Sequence, residues 1–487
     1  MRPSVALSEW SQSSIEKLSD PYAEFLALKS LTAPATGLQT IPKLPAALKP
    51  FQHAIVSWAL RRGRAALFES TGLGKTLQYL AWGRAVADHE QGPVLILNPL
   101  AVAQQTVGEA EKFGINGVSY TAYQTAVAGD LVVTNYERFD RFDMRNFAGI
   151  VMDESAIIRN QDGAYRKLLT EACSATRWKL CCTATPAPND YAELGQHAEF
   201  LGVMSAKEML AMFFVHDGGV RAGQDSEANG DGWRLKRHAR ADFWRWLASW
   251  SVMIRTPQDL GFDGSEYELP PLRYHQVTVP AEYAPTAGML FPVEASTLSE
   301  RIAVRRETAG ARVKAAVDIV LREPSEPWLI WAHLNKEADA IESALDKCLQ
   351  VKGTHPVEIK VARLLGFKDG KPLWFCSKPS VAAHGMNYQH CARVLFVGLS
   401  DSFEQLFQAI RRCWRFGQTR PVEVYMVASE LEGAVVANLQ RKERDFEAML
   451  DAMAGHMRDL MRENVLRGRN AVSSYNPTVE MRLPEWL

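Results

Sequence analysis

The sequence predicts an α/β fold: two lobes in tandem, each a mostly parallel sheet covered by helices, with a mainly helical insertion between them. Three observations carry this. Short apolar strands alternate with helical patterns over residues 48–200, the alternation recurs over 327–428, and a glycine-rich turn joins the first strand to the first helix. Strands are expected at 65–68, 94–97, 131–134, 150–152 and 180–182, and again at 328–331, 357–361, 373–375, 394–397 and 422–427. A chain of 487 residues has a length prior of roughly three domains. The boundaries read as an N-terminal extension over 1–45, lobe 1 over 46–203, an insertion over 204–300, lobe 2 over 301–465 and a tail over 466–487.

Lobe 1 opens with Leu48-Lys49-Pro50-Phe51-Gln52. The amide of Gln52 suits a bidentate contact with adenine. The expected strand Ala65-Ala66-Leu67-Phe68 then runs into Glu69-Ser70-Thr71-Gly72-Leu73-Gly74-Lys75-Thr76 and the helical Leu77-Gln78-Tyr79-Leu80. Thr71, Gly72, Leu73 and Gly74 form a turn whose N–H groups converge on one anion, and the following helix adds its positive end. Lys75 reaches the outer phosphates of a nucleotide, and the Thr76 hydroxyl holds magnesium. Glu69 stands where the general pattern has a further glycine. Such turns also occur as plain strand–helix connections, so the residues downstream decide the reading.

Downstream stands Ile150-Val151-Met152-Asp153-Glu154, an apolar strand ending in two carboxylates. At the C-terminal edge of an open α/β sheet they face the ligand crevice. Asp153 suits magnesium held through water, and Glu154 suits orienting or deprotonating the attacking water. Thr183-Ala184-Thr185-Pro186 closes the next strand. The hydroxyls of Thr183 and Thr185 are placed to sense a γ-phosphate, although a hydroxyl-rich turn is the plainer alternative.

The insertion holds a polar loop over 217–232, an aromatic-rich helix and a Pro270-Pro271 exit. Arg234, Lys236, Arg237 and Arg240 cluster ahead of that helix and suit phosphate contacts. Phe243, Trp246, Leu247 and Trp250 recur at helical spacing, which predicts a buried stripe rather than a base-stacking platform. In lobe 2, Gln408-Ala409-Ile410-Arg411-Arg412-Cys413-Trp414-Arg415-Phe416-Gly417-Gln418 interleaves arginines with apolar residues. Arg412 and Arg415 share a helix face, and guanidinium groups spread charge on a transferring phosphoryl group.

Bulk properties narrow the partners. The net charge is −1, so any nucleic-acid surface is local rather than global. The seven cysteines include no Cys-x-x-Cys pair, which suggests reduced, mostly buried thiols in a cytosolic protein. Met1-Arg2-Pro3-Ser4 lacks the apolar core of a signal peptide, and no apolar run approaches the roughly 20 residues of a membrane span. No zinc or nuclease constellation is visible.

Taken jointly, Gly72 to Thr76, Asp153-Glu154, Thr185-Pro186 and Gln408 to Gln418 resemble superfamily 2 helicases, and within them the Swi/Snf-like DNA translocases. Asn98-Pro99-Leu100, Thr134-Asn135-Tyr136-Glu137 and Gly385-Met386-Asn387 add weaker matches, and the motif order over 48–428 agrees. The chain looks closest to compact helicases of bacteriophages and prophages, on Thr183 to Asp190, His197 to Gly202 and the stretch 233–261. It departs at Ser155-Ala156, where Ala-His is usual, and at His384, where paired glycines are usual. The insertion is also far shorter than in large chromatin remodellers.

The resemblance implies two RecA-like lobes. The phosphate loop and carboxylates of one would face Arg412 and Arg415 of the other, with Thr183 and Gln418 linking hydrolysis to movement. It implies ATP and Mg2+ as cofactors and duplex DNA as partner. Replication or recombination proteins would be further partners, a monomeric motor would suffice, and the setting would be the cytosol of a bacterial or phage-infected cell. The expected function is an ATP-dependent DNA helicase or translocase. An ATP-switched loading factor and an RNA helicase are the alternatives.

Overall fold

The computed structural model describes residues 32–99, 102–123, 129–159, 163–188, 190–216, 233–280, 306–382, 386–400 and 402–467. The polar loop 217–232, Leu100, Asn189, His384 and Gly385 lie outside them, as does most of the expected C-terminal tail.

Lobe 1 begins with helix α1 (Pro50–Arg62), whose first position is a proline, a residue that fits where no N–H is needed. Strand β1 (Arg64–Glu69) leads through the glycine turn into α2 (Lys75–Glu90). Next come β2 (Val94–Asn98), α3 (Ala103–Lys112), β3 (Val118–Tyr120), β4 (Leu131–Asn135), β5 (Gly149–Asp153), α4 (Ala164–Ala172), β6 (Trp178–Thr183) and α5 (Leu194–Leu201). The insertion supplies α6 (Ala206–Phe213), a short antiparallel pair β7 (Phe214–His216) and β8 (Trp233–Leu235), α7 (Arg240–Trp250) and β9 (Ser251–Ile254). The first sheet is parallel throughout, in the order β3-β4-β2-β5-β6-β1-β9. Strands β2, β4, β5 and β6 are buried at every residue, as expected of strands covered on both faces.

Lobe 2 starts with β10 (Leu272–Val279), then α8 (Ala309–Arg322), β11 (Trp328–Ala332), α9 (Asn335–Ala344), β12 (Cys348–Val351), α10 (Val357–Lys368), β13 (Trp374–Ser377), α11 (Pro379–Ala382), β14 (Arg393–Val397), α12 (Phe403–Ile410), β15 (Val422–Ser429) and α13 (Gly433–Arg467). Its sheet is also parallel, in the order β10-β15-β14-β11-β13-β12. The predicted α/β fold of two parallel-sheet lobes is therefore the observed one.

One expected strand is corrected. Residues 357–361 open helix α10, and the edge strand is β12, just upstream. Pro356 in extended conformation starts the helix, and the buried Leu364 and Phe367 continue a helical spacing that the β-branched Val357 and Val361 disguise. The insertion also contributes to both lobes, because β9 and β10 are edge strands of the two sheets.

The aromatic stripe of α7 is core, as predicted: Phe243, Trp246, Leu247 and Trp250 are buried, with Phe243 packed on Phe213 at 5.4 Å and Trp246 on Trp250 at 5.3 Å. Helix α13 crosses from lobe 2 back onto lobe 1. In lobe 2 its Phe446 packs on Phe403 and Phe407. On lobe 1 its Met461 sulfur accepts from Met253 N, Asn464 donates to Ala248 O at 3.0 Å, and His456 stacks on Trp244 at 5.2 Å. Arg255 pairs with Glu447 and Asp451 of the same helix. All seven cysteines are buried free thiols. Among the described residues, no helix is long and apolar enough to cross a membrane.

Candidate nucleotide site between the lobes

The strands of lobe 1 end in polar residues along one edge. Glu69, Asn98, Asn135, Asp153 and Thr183 are the last residues of β1, β2, β4, β5 and β6, and all are buried. Five apolar strands in parallel thus deliver five polar side chains to one rim.

The glycine turn caps this rim. Gly72 and Gly74 have φ of 92° and 79°, in the left-handed region that favours glycine. Both are also crowded. A Cβ on Gly74 would lie 2.4 Å from Gln52 Nε2, and one on Gly72 would lie 2.8 Å from the Phe416 nitrogen of lobe 2. Lys75 opens α2 with its ammonium donating to Glu69 O at 2.7 Å and Ser70 O at 3.1 Å. Gln52 is bound at both ends of its amide, donating to Leu73 O at 2.8 Å and accepting from Lys49 N at 2.9 Å. In this structure it shapes the turn.

Glu69 and Asp153 sit beneath the turn. Burial pushes the Glu69 carboxyl up to about 7, opposed by the Lys75 ammonium and by a hydrogen bond from Gln78 at 2.7 Å. Asp153 is likewise raised to about 7, by burial and then by the neighbouring Glu154 charge, with Lys75 and Asn98 pulling the other way. Asn98 donates to Asp153 Oδ2 at 3.0 Å and also to the Tyr79 hydroxyl, which meets Thr106 at 3.1 Å. The Tyr136 hydroxyl donates to Asp153 O at 2.6 Å. These groups fix the carboxylate from behind. Glu154 comes next with φ of 53°, a strained conformation for a residue other than glycine, of the kind that collects at functional sites.

Lobe 2 closes the site. Arg412 is buried, anchored by its Nε donating to Gln408 O at 3.1 Å, and its Nη2 lies 3.8 Å from Glu154 Oε1. That distance is beyond a hydrogen bond but within an ion pair. Arg415 lies beside it, with its pKa lowered to about 10 by burial and by the Arg412 charge. The third arginine of the run differs. Arg411 is packed against the Phe407 and Trp414 rings at 4.8 and 4.4 Å and pairs with Glu447, so it serves the fold. Beside Glu154 the lobes leave a cleft of about 660 Å3, lined by Pro99, Tyr136 and Ile157 from lobe 1 and Lys360, Ser380 and Gln405 from lobe 2.

Thr183 and Thr185 are buried near this rim, and Thr183 Oγ1 accepts from Thr185 N at 3.1 Å. Gln418 is placed otherwise than expected. Its Nε2 donates to Gln389 O and Cys391 O at 2.9 and 3.0 Å, and its Oε1 accepts from Thr419 N and Arg420 N, both at 3.0 Å. The amide is saturated inside lobe 2 and braces the turn that carries Phe416, with nothing left for the phosphates. Lys236 is engaged too, capping the C-terminal carbonyls of α6 at Ala211 (2.7 Å) and Met212 (3.2 Å). Arg234 and Arg240 are half-buried nearby and Arg237 is exposed, all far in sequence from the glycine turn.

A histidine from another element meets the residue that follows Asp153-Glu154. His197 of α5 puts Nε2 3.1 Å from Ser155 Oγ, and both residues are fully buried. Sequence reasoning missed this role, and it also missed Asn98, Tyr79 and Tyr136 as the support of Asp153. The polar residue ending each apolar strand was the available signal for Asn98.

The residues present fit a magnesium-bound polyphosphate. The Thr71 and Thr185 hydroxyls, Glu69 Oε1 and Arg415 Nε are buried polar atoms without a hydrogen-bond partner in the chain, and the Lys75 ammonium acts on both the Glu69 and the Asp153 carboxyls. Buried groups of this kind require partners. Lys75, Thr71 and the turn amides would hold the phosphates, and Thr76 with Asp153 would hold the metal.

Residues 51–214 match the SNF2-related domain family model. The chain is 25% identical over 447 residues to the mouse DNA annealing helicase and endonuclease ZRANB3, covering 84% of this chain and 41% of that protein. It is 24% identical over 418 residues to the Xenopus laevis SWI/SNF-related matrix-associated actin-dependent regulator of chromatin subfamily A-like protein 1, covering 79% and 42%. The chain thus spans about two fifths of the length of these curated relatives. Among solved structures, the Sulfolobus solfataricus SWI2/SNF2 ATPase core in complex with dsDNA aligns with TM-score 0.40 and 19% identity, over 90% of this chain and 100% of that one.

Proposed function

We propose that the chain is a Mg2+- and ATP-dependent motor that hydrolyses ATP between its lobes and moves along duplex DNA. The observation that carries the reading is the approach of Arg412 from lobe 2 to Glu154 of lobe 1, while Phe416 of the same lobe 2 segment abuts Gly72 of the phosphate-type turn. A site assembled from two lobes makes hydrolysis and lobe movement one process. The match to the SNF2-related domain over 51–214 and the relatives named as DNA annealing helicases support DNA as the track.

Each role has a geometric basis. Lys75 leaves the carbonyls of Glu69 and Ser70 to meet phosphate oxygens. Magnesium, when bound, neutralises charge on the outer phosphates. Asn98 and Tyr136 keep Asp153 in place, and Glu154 orients and accepts a proton from the attacking water. Arg412 and Arg415 stabilise the charge that develops on the transferring group. Loss of the outer phosphate removes what these arginines hold, and the lobes part. The further details of this reading are a compact motor of the phage or prophage kind, a cytosolic setting and strand separation.

The decisive experiment is a triplex-displacement assay on duplex DNA beside a forked-duplex unwinding assay, with ATPase followed in both. Displacement with ATP supports the motor. DNA-stimulated ATPase without displacement or unwinding would replace it with an ATP-switched loading factor. Stimulation by RNA alone would make it an RNA helicase.

A further inference from the structure

Three aromatic rings from distant parts of the chain meet at the glycine turn. Phe51 immediately precedes Gln52 in α1. Tyr267 closes a short turn, Ser265–Tyr267, in the inter-lobe segment. Phe416 belongs to the lobe 2 turn after α12. Tyr267 stacks on Phe416 with centroids 4.6 Å apart and planes 28° apart, and stands edge-on to Phe51 at 5.5 Å. The Phe416 nitrogen lies 2.8 Å from where a Gly72 Cβ would be, so the residue that carries one ring of this stack abuts the phosphate turn.

Two features mark the stack as exchangeable. Phe416 remains 36% exposed, unusual for a large apolar ring in an otherwise packed interface. The Tyr267 turn is shaped locally, with Asp263 accepting from Ser265 N at 3.0 Å and Tyr267 N donating to Gly264 O at 2.8 Å. Its ties to lobe 1 are the edge-on contact of Tyr267 with Phe51 and the Lys49–Glu266 pair at 2.9 Å. Tyr267 therefore keeps its ring over the turn while Phe416 moves with lobe 2.

We infer that Tyr267 is the base-stacking residue of the nucleotide site: a purine base takes the place of the Phe416 ring on the Tyr267 face, while Arg412 and Arg415 keep lobe 2 over the phosphates. The inference rests on the nucleotide site proposed above. Aromatic faces hold bases by stacking without reading their edges. A purine covers more of the ring than a pyrimidine does. Selectivity for purine nucleotides would then come from Tyr267, leaving Gln52 to shape the turn.

The test is equilibrium binding of ATP, CTP and inorganic tripolyphosphate to the full chain, its Tyr267→Ala, Tyr267→Phe and Phe416→Ala variants, and Lys75→Ala as control. Tyr267→Ala is expected to weaken ATP about tenfold, in line with the removal of one base–aromatic stack, with a smaller effect on CTP. Tripolyphosphate, which has no base, should bind Tyr267→Ala unchanged, and Tyr267→Phe should bind ATP as the parent does. Phe416→Ala, which frees the Tyr267 face, should tighten ATP roughly threefold by removing the internal competitor. Equal ATP affinity in Tyr267→Ala, an equal weakening of tripolyphosphate, or weaker ATP in Phe416→Ala would each overturn the inference. A parent chain that binds neither ATP nor tripolyphosphate, with Lys75→Ala no different, would instead remove the nucleotide site on which it rests.

Discussion

Arg412 and Glu154 face each other across the two lobes, Nη2 to Oε1, at 3.8 Å. Both are held from behind: Arg412 by the Gln408 carbonyl, Glu154 by its strained backbone and by its N–H donating to Asp153 Oδ1 at 3.1 Å. The pair sets a guanidinium of lobe 2 against the carboxylates of lobe 1, where charge would develop during phosphoryl transfer.

Arg412→Ala and Arg415→Ala should therefore lower turnover far more than nucleotide affinity. Arginine fingers elsewhere contribute on the order of 10³–10⁵ in rate. Steady-state ATPase and ATP binding measured on the same preparations check this. A matching fall in affinity and rate would assign the two arginines to ground-state binding.

Lys75→Ala should abolish ATP hydrolysis with the fold intact, because the ammonium is a cation among phosphate-cradling amides. Glu154→Gln should keep ATP binding and stop turnover, since only water activation is removed. Circular dichroism, ATP binding and phosphate release give the three readouts. Near-parental hydrolysis in either variant would place the site elsewhere.

Glu69 predicts a pH dependence with a definite sign. Its carboxyl is raised to about 7 by burial, above the range of an unfolded chain. Between about 4.5 and 7 the folded chain then holds a proton that the unfolded chain has released. The stability this contributes is complete at low pH and is lost as pH rises through 7. Denaturant titration of the nucleotide-free chain at pH 5.5 and 8 should differ by on the order of 1–3 kcal/mol from this group. Glu69→Gln should flatten the difference, and an unchanged slope in that variant would exclude Glu69 as its source.

One member of the basic cluster has a defined structural task. Lys236 caps α6, so Lys236→Ala should cost about 0.3–1 kcal/mol of stability with little effect on DNA affinity. The Arg234, Arg237 and Arg240 triple alanine variant should flatten the salt dependence of DNA binding by roughly 0.9 in log–log slope for each phosphate no longer neutralised. Filter binding over a salt series separates the two. An unchanged slope in the triple variant would move the DNA track to the lobes.

The contiguous parts of the site were legible in the sequence. Gly72 to Thr76 and Asp153-Glu154 each carry their chemistry within a few residues, and the strand pattern around them fixed their edge of the sheet. The residues that come from afar were not legible. His197 reaches Ser155 from α5, Tyr267 reaches Phe416 from the inter-lobe segment, and neither has a local periodicity that announces a partner. Gln418 looked like a link between hydrolysis and movement by its place in a motif, yet its amide is saturated by neighbouring backbone, a partner set assembled only in the folded chain. The error at 357–361 has a local cause. Two valines and an isoleucine read as strand, while the proline before them and the leucines after them build a helix.

Helix α13 has a mechanical consequence. Its 35 residues form a rod about 52 Å long at 1.5 Å per residue. One stretch is seated in lobe 2 through Phe446, and another is seated on lobe 1 through His456, Met461 and Asn464. A stiff rod gripped by both bodies cannot lengthen when the cleft opens. Drawing the lobes apart would break one grip or the other, whereas turning them about the line of the helix would leave both intact. A helix seated this way would make rotation the easier of the two motions.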